Sequence, residues 1–156
     1  IGRSAFEKTF KQELARIEKE KLSSCLALID LDLFKEINDS YGHSVGDQVL
    51  KKFAYFLKKF LRKNDLVGRW GGEEFIVLLH TCSLEEGHLL LEHCLENCRA
   101  STFIEQEKTH RLSFSCGLVS LVGTSKQLKE IFHSADSLLN QAKERGRSCV
   151  LSSLST

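Results

Sequence analysis

The sequence lacks several features that would assign it to a secreted or membrane-spanning class. It has no methionine among its 156 residues, and because chains normally begin with that residue, we expect a fragment of a longer protein, truncated at its N-terminus. It has no apolar run near the roughly 18 residues that a membrane span needs, and no signal-peptide layout at its start. We therefore expect a soluble domain in the cytoplasm, whether or not the full-length protein is attached to a membrane.

An excess of charge of one sign is also absent. The chain has 22 Lys and Arg against 21 Asp and Glu, a formal net charge of +1. This balance gives no electrostatic footprint for duplex nucleic acid or for an anionic membrane surface, so we expect no nucleic-acid partner.

The six cysteines are scattered, without the paired spacing of a structural zinc site, and are predicted to be reduced thiols.

The chain does contain a succession of helix and strand patterns, which predicts one domain over residues 1–156. Apolar spacing predicts helices at about 3–20, 34–39, 44–63, 83–101 and 125–145, and strands at about 25–31, 66–70, 73–79, 111–121 and 149–151. Gly71-Gly72 predicts a two-residue hairpin turn, because both positions can take positive φ. The order predicts an α+β fold with a mixed, largely antiparallel central sheet flanked by helices, in the manner of ferredoxin-like domains.

Acidic residues mark the ends of two of these strands. Asp30 closes the first strand, and Glu73 and Glu74 follow the two glycines. If the strands are neighbours, the carboxylates converge, and hard oxygen ligands at one sheet edge suit Mg²⁺ or Mn²⁺. Gly71 and Gly72 would leave room for a phosphate. On composition alone, solvated carboxylates at strand ends are an alternative with about even odds.

Four longer segments resemble one family in order and spacing. They are IDLDLFKEINDSYGHSVGDQVL (29–50), RWGGEEF (69–75), SFSCGLVS (113–120) and ADSLLNQAKERGRS (135–148). Together they resemble the GGDEF family of diguanylate cyclases over essentially the whole chain. The resemblance implies a fold similar to nucleotidyl cyclase and polymerase palm domains. It also implies an enzyme that condenses two GTP molecules into cyclic di-GMP and two pyrophosphates.

By position, the resemblance implies a role for each site residue. The expected metal ligands for Mg²⁺ or Mn²⁺ are Asp30, Glu73 and the backbone carbonyl of Leu31, and the expected catalytic residues are Glu73, Glu74 and Lys35. The expected contacts to the guanine and phosphates of GTP are Asn38, His43, Asp47, Gly71, Gly72, Lys143 and Arg147. Each residue taken alone has a plainer explanation, such as a helix cap for Asp47 or a helix C-terminal contact for Lys143.

The resemblance also has implications for assembly and control. Because the product is two-fold symmetric and one domain binds one GTP, catalysis implies a homodimer, normally controlled by an upstream sensor or regulatory domain. Arg62 and Asp65 match the family's inhibitory site for the product, cyclic di-GMP, and the alternative is a basic helix end followed by a turn. Two rival functions remain: an inert module that binds GTP or cyclic di-GMP, and a structural dimerisation domain without nucleotide affinity.

Overall fold

A computed structural model describes residues 1–20, 22–105, 107–121 and 127–155, which contain five α-helices, seven strands and one 3-10 helix (Ser153–Ser155). The helices are α1 (Arg3–Glu20), α2 (Phe34–Tyr41), α3 (His43–Phe60), α4 (Leu84–Ala100) and α5 (Leu128–Glu144). The strands are β1 (Cys25–Leu31), β2 (Leu66–Gly71), β3 (Glu74–Leu79), β4 (Phe103–Glu105), β5 (Lys108–His110), β6 (Phe114–Ser120) and β7 (Val150–Leu151). None of the helices in these ranges is long and apolar enough to cross a membrane.

Strand β1 lies at the centre of a five-stranded sheet with the order β2-β3-β1-β6-β7. It pairs antiparallel with β3 and β6, while β7 runs parallel to β6. All seven residues of β1 are buried, which explains why CLALIDL is a nearly continuous apolar run. The predicted α+β class with a mixed, largely antiparallel sheet is confirmed. The order β1-α2-α3-β2-β3-α4-β6 matches the βαββαβ order of ferredoxin-like domains, with two consecutive helices in the first crossover.

Helices cover both faces of this sheet, and side-chain alternation along β1 decides which residue meets which layer. Ala27 and Ile29 belong to the core cluster shared with α3 and α4. Leu26 and Leu28 belong to the cluster shared with α1 and α5. By the same alternation, Asp30 follows Leu28 on the side of α5. The strand therefore directs a carboxylate toward the C-terminal helix.

The hairpin between β2 and β3 turns one residue later than predicted. Gly71 belongs to β2 and pairs with Glu74, so the turn is Gly72-Glu73, and the prediction of Gly71-Gly72 is wrong by one residue. Of the two glycines only Gly72 has a positive φ, 33°. The register shifts between Arg69 and Gly71, as in a β-bulge, which moves the turn along the chain. Glu73 is therefore a turn residue, and Glu74 begins β3.

Other differences lie in the second half of the chain. Strands β4 and β5 form a separate two-stranded sheet for which the sequence predicted nothing, because three-residue strands are too short to show a period-2 pattern. Strand β6 begins at Phe114, later than the predicted residue 111. The predicted start of the last helix, at Ser125, lies outside the described residues, within which α5 begins at Leu128.

Candidate active site

Two acidic strand ends meet at one edge of the sheet. Asp30, one residue before the end of β1, pairs in register with Glu74, the first residue of β3. The backbone nitrogen of Leu31 donates to the carbonyl oxygen of Glu73 at 3.2 Å, which links β1 to the hairpin turn. Strands β1 and β3 are thus neighbours, which is the condition under which the sequence predicted that these carboxylates converge.

Burial makes this acidic cluster costly to ionise. Asp30 is only 5% exposed. Burial raises its pKa, the ammonium of Lys143 opposes that rise, and the negative charges of Glu73 and Asp32 add to it. The pKa of Glu74 is also raised, first by burial and then by the charge of Asp30. Lys143 Nζ lies 2.5 Å from Asp30 Oδ2, so the most buried of these carboxylates has a cationic partner.

The donor atoms of this cluster fit a hard divalent cation. Asp30 and Glu73 offer carboxylate oxygens and Leu31 offers a main-chain carbonyl, which are ligands of the class that Mg²⁺ and Mn²⁺ prefer. The Lys143 ammonium beside Asp30 shows that a positive charge is accommodated there. Within the described ranges, no group of three or more His, Cys, Asp or Glu side chains is arranged to hold a metal. Nucleotide or water oxygens would therefore complete any coordination shell.

The residues predicted to contact guanine lie around the corner between α2 and α3. Asn38 is half-buried in α2, and its main-chain carbonyl accepts from the nitrogen of Gly42 at 2.8 Å. Gly42, with φ 91°, ends α2 and directly precedes α3. His43 and Asp47 are consequently exposed in the first turns of α3. Among the residues that the structure describes, the side-chain oxygen of Asn38 is buried without a hydrogen-bond partner, a state that calls for a polar ligand or another specific explanation.

Gly46 is a residue of this corner that the sequence analysis missed. It is buried in the first turns of α3, and an ideal Cβ built on it would come 1.8 Å from Asn38 Oδ1. Only glycine therefore leaves room for Asn38 in its present orientation. A glycine inside a helix is unfavourable by about 1 kcal/mol relative to alanine, and that unfavourable choice within an otherwise regular helix was the available signal.

The basic residues predicted to contact phosphate lie at the end of α5 and beyond it. Lys143 belongs to the last turn of α5 and forms the ion pair with Asp30. Arg147 follows in the turn toward β7, where it is exposed and has a positive φ of 66°. Lys35 is exposed in the first turn of α2. The structure thus brings Lys143 into the carboxylate cluster and leaves the Lys35 and Arg147 side chains in solvent.

Asp32 is a second residue that the predicted site omitted. It is buried, and its carboxylate accepts from the hydroxyls of Ser113 at 2.7 Å and Ser115 at 2.6 Å. It also accepts from the backbone nitrogen of Ser148 at 2.9 Å. The pattern Asp-x-Asp at a strand end pointed to two carboxylates on one face, but nothing local to Asp32 indicated a partner 116 residues away.

Arg62 and Asp65 form a closed ion pair. Arg62 Nε lies 3.0 Å from Asp65 Oδ2, and a terminal nitrogen lies 3.0 Å from Oδ1. The same guanidinium donates to the carbonyl of His80 at 2.5 Å, and the nitrogen of His80 donates to Asp65 at 3.0 Å. Hydrogen bonds that the guanidinium donates to the Asp65 carboxylate raise the pKa of Arg62 above its ordinary value. Each partner is therefore already engaged inside the chain.

This pair lies at the opposite end of the β2–β3 hairpin from the carboxylate cluster. Asp65 immediately precedes β2, and His80 immediately follows β3. A strand of six residues, roughly 20 Å long, separates the pair from the turn Gly72-Glu73. The structure therefore does not bring Arg62 and Asp65 together with Asp30, and the separate inhibitory site stays a prediction.

Comparison with known proteins assigns the family of the chain. Residues 1–149 match the family described as diguanylate cyclase, GGDEF domain. Over 146 residues, 94% of this chain, the sequence is 39% identical to the diguanylate cyclase DgcP of Pseudomonas aeruginosa, of which it covers 22%. The chain spans less than half the length of the curated relatives that it matches.

Solved structures agree with this assignment. The GGDEF domain of PA1120 (YfiN or TpbB) from Pseudomonas aeruginosa is similar with a TM-score of 0.92 at 28% identity, over 97% of this chain and 95% of that one. The GGDEF domain of DgcB from Caulobacter crescentus, solved in complex with c-di-GMP, is similar with a TM-score of 0.90 at 25% identity, over 97% and 90%. The predicted family is confirmed, and the chain belongs to the GGDEF domain family of diguanylate cyclases.

Proposed function

We propose that this domain condenses two molecules of GTP into cyclic di-GMP and two pyrophosphates. The observation that supports this most directly is the meeting of Asp30, Glu73 and Glu74 at the end of β1 and the hairpin turn, beside Lys143. An acidic cluster of this kind suits phosphoryl chemistry, because a divalent cation held by carboxylates can neutralise phosphate charge at the same place. The family of the chain favours the same reaction.

Guanine recognition is assigned to the corner between α2 and α3. Asn38 offers a carboxamide and Asp47 a carboxylate, and together they match the donors and acceptors of a guanine edge, a pattern that adenine lacks. The side-chain oxygen of Asn38 is buried against Gly46, so the carboxamide nitrogen is the group left to donate to an acceptor on the base. His43 is the first residue of α3, where it is exposed, and we assign it as the third contact to the nucleotide.

Phosphate binding is assigned to the hairpin turn and to the end of α5. A Cβ built on Gly71 or Gly72 would meet nothing within 4 Å, so a phosphate can approach the main chain at the turn. Lys143 and Arg147 would bind the phosphates from the other side. Lys35 would stabilise negative charge that develops on them during the reaction.

In-line attack forms each new bond. The 3′-hydroxyl oxygen of one GTP attacks the α-phosphorus of the other, the bond to the β-phosphate oxygen breaks, and pyrophosphate leaves. Glu73 or Glu74 takes the hydroxyl proton, and the raised pKa of Glu74 suits a group that must accept one. When bound, Mg²⁺ or Mn²⁺ supplies charge neutralisation at the phosphates, and Asp30, Glu73 and the carbonyl of Leu31 would hold it.

The symmetry of the product requires two copies of the domain. Cyclic di-GMP contains two identical linkages, so each nucleotide must be both nucleophile and electrophile. A two-fold homodimer in which two half-sites face each other meets this requirement. We place the domain in the cytoplasm, with an upstream sensor or regulatory domain controlling the encounter.

Arg62 and Asp65 are assigned to an inhibitory site for cyclic di-GMP. A guanidinium can fork onto guanine or phosphate, and a carboxylate can accept from a guanine edge. Because Arg62 is hydrogen-bonded to Asp65 and to His80, a bound product must replace those bonds. The side chain of Arg62 is 45% exposed, which leaves it accessible for that exchange.

The rival is an inert module that binds GTP or cyclic di-GMP. The DgcB domain was solved with c-di-GMP, so binding alone does not distinguish the two functions. The test is to fuse the chain to a dimeric coiled coil, incubate it with GTP and Mg²⁺, and separate the nucleotides by chromatography. Cyclic di-GMP from the parent fusion but not from Glu73→Gln supports the cyclase. Binding of GTP or cyclic di-GMP by calorimetry without product leaves the inert module, and no affinity for either nucleotide leaves a structural domain.

A further inference from the structure

We propose that Asp32 is a positioning residue for phosphate binding: it holds the turn Gly146-Arg147-Ser148 in the left-handed conformation that directs Arg147 toward the nucleotide. The inference rests on the proposed function insofar as the ligand is GTP. It concerns a residue that lies outside the predicted metal and substrate contacts. The argument depends on the hydrogen bonds of Asp32 and on the backbone of the turn.

Asp30 lies in β1 and Asp32 is the first residue after it, and both carboxylates contact the segment that ends α5. Asp30 meets Lys143 in the last turn of α5. Asp32 meets the backbone nitrogen of Ser148, five residues later. The two aspartates therefore bind the two ends of one segment, residues 143–148, and Arg147 lies next to the second contact.

Protein donors occupy three of the roughly four lone-pair sites of the Asp32 carboxylate. Oδ1 accepts from Ser115, and Oδ2 accepts from both Ser113 and the nitrogen of Ser148, at 2.6, 2.7 and 2.9 Å. Ser115 is fully buried and Asp32 is 7% exposed. Oδ2 has no lone pair left for a metal and Oδ1 has one, so the arrangement favours a structural link to the turn over coordination.

The turn itself has a backbone that needs such a link. Arg147 and Ser148 have φ values of 66° and 49°, and Gly146 has a φ of 106°. Glycine adopts positive φ readily, but two successive residues with side chains do so at a cost in strain. A hydrogen bond from the Ser148 nitrogen to a carboxylate is of the stronger, charge-assisted kind. Asp32 therefore offsets strain at the residue directly after Arg147.

Replacing Asp32 should therefore weaken phosphate binding without removing a metal ligand. In Asp32→Ala, which removes every acceptor of this side chain, we expect the dissociation constant for a non-hydrolysable GTP analogue, measured by calorimetry with Mg²⁺, to rise about tenfold. Ser148→Gly placed in that variant should restore most of the affinity, because glycine adopts the left-handed conformation without strain. Glu144→Gln is the matched control for lost negative charge, since Glu144 is exposed beside the same turn.

Three results would overturn the proposal. They are unchanged analogue affinity in Asp32→Ala, failure of Ser148→Gly to restore it, and loss of Mn²⁺ binding in Asp32→Ala, which would make Asp32 a metal ligand. Hydrogen exchange of the Ser148 amide in the parent chain is a test that does not depend on the variant folding. Slow exchange supports the link and rapid exchange contradicts it. If the parent chain binds no GTP analogue, the proposed function fails, while the exchange measurement still decides whether Asp32 holds the turn.

Discussion

The ammonium of Lys143 lies 2.5 Å from Asp30 Oδ2, and this ion pair joins the last turn of α5 to the end of β1. The carboxylate side chain is 8% exposed and the lysine side chain 30%. Lys143 therefore neutralises the most buried acid of the cluster. A divalent cation that binds Asp30 Oδ2 would displace this ammonium, which would then be available to a phosphate.

Lys143→Met tests this exchange of partners. Removing the competing ammonium should tighten Mn²⁺ binding in the absence of nucleotide several-fold, on the order of 1 kcal/mol for a partly exposed pair. The same variant should raise the KM for GTP about tenfold, because the proposed contact between Lys143 and a phosphate is lost. Electron paramagnetic resonance of free Mn²⁺ and initial rates measure the two effects.

The matched control for Lys143→Met is Lys129→Met, an exposed lysine near the start of α5. It removes the same charge from the same helix without touching Asp30. Weaker Mn²⁺ binding in Lys143→Met, or equal effects in the two variants, would contradict the exchange.

Because the pKa of Glu74 is raised, replacing Glu74 by glutamine should stabilise the domain to an extent that depends on pH. Burial and the charge of Asp30 raise the pKa of Glu74. A folded-state pKa above the unfolded one means that the group's contribution to stability is present at low pH and is lost as pH rises through the folded pKa. Glu74→Gln should therefore raise Tm at pH 8 by about 2–4 °C, the shift expected for ~1 kcal/mol in a domain of this size.

The gain should shrink toward zero as pH falls through the raised pKa, because the parent glutamate is then protonated and resembles glutamine. Thermal unfolding followed by circular dichroism at several pH values measures it. Glu96→Gln, at an exposed position of α4, should change Tm little at any pH. If the rise in Tm of Glu74→Gln were equal at pH 5 and pH 8, the ionised form of Glu74 would not be what destabilises the parent domain.

The parts of this site that the sequence predicted depend on local patterns. The apolar run of β1 and the hairpin signal around Gly72 predicted two strands, and Asp30 and Glu74 lie at the ends of those strands. The position of the turn was wrong by one residue because it depends on a bulge next to Trp70. That side chain is 8% exposed and packs 5.0 Å from Phe132, ring centroid to ring centroid. Such a tertiary contact has no local signature.

Asp32 and Gly46 were missed for the same reason, which is that their contacts are tertiary. Asp32 meets a backbone nitrogen 116 residues away, and Gly46 makes room for Asn38 across a helix–helix corner. Neither contact follows from the period of a helix or strand. The sequence predicted that carboxylates lie at strand ends. It did not predict that Asp30 contacts Lys143 while Asp32 contacts Ser148, because those contacts exist only in the folded chain.

Arg62→Ala should weaken product inhibition. If cyclic di-GMP binds Arg62 and Asp65, loss of the guanidinium removes charge-assisted hydrogen bonds and should raise the half-inhibitory concentration of product at least tenfold. The measurement is the initial rate of a forced dimer at increasing added cyclic di-GMP, each series normalised to its own rate without product. Lys63→Ala, the exposed neighbour, is the control. An unchanged half-inhibitory concentration in Arg62→Ala would show that Arg62 and Asp65 do not form the inhibitory site.

Gly46→Ala should impair guanine recognition through Asn38. The added Cβ would come 1.8 Å from Asn38 Oδ1 and 3.1 Å from Phe34 Cζ, so the carboxamide must rotate away. We expect the KM for GTP to rise about tenfold and the preference over ATP to fall, since a lost hydrogen bond to the base costs about 0.5–1.5 kcal/mol. Initial rates with each nucleotide measure both effects.

Gly87→Ala is the control for the change of backbone in Gly46→Ala. Gly87 is also a buried helical glycine, but its added Cβ would meet Cys25 and Leu79 at 3.4 Å, an ordinary contact. Alanine there should stabilise α4 by up to about 1 kcal/mol, and GTP kinetics should not change because α4 contributes no nucleotide contact. Gly46→Ala should gain less stability than Gly87→Ala, since the displaced Asn38 offsets the helix propensity. A normal KM for GTP in Gly46→Ala would show that the orientation of Asn38 does not govern binding.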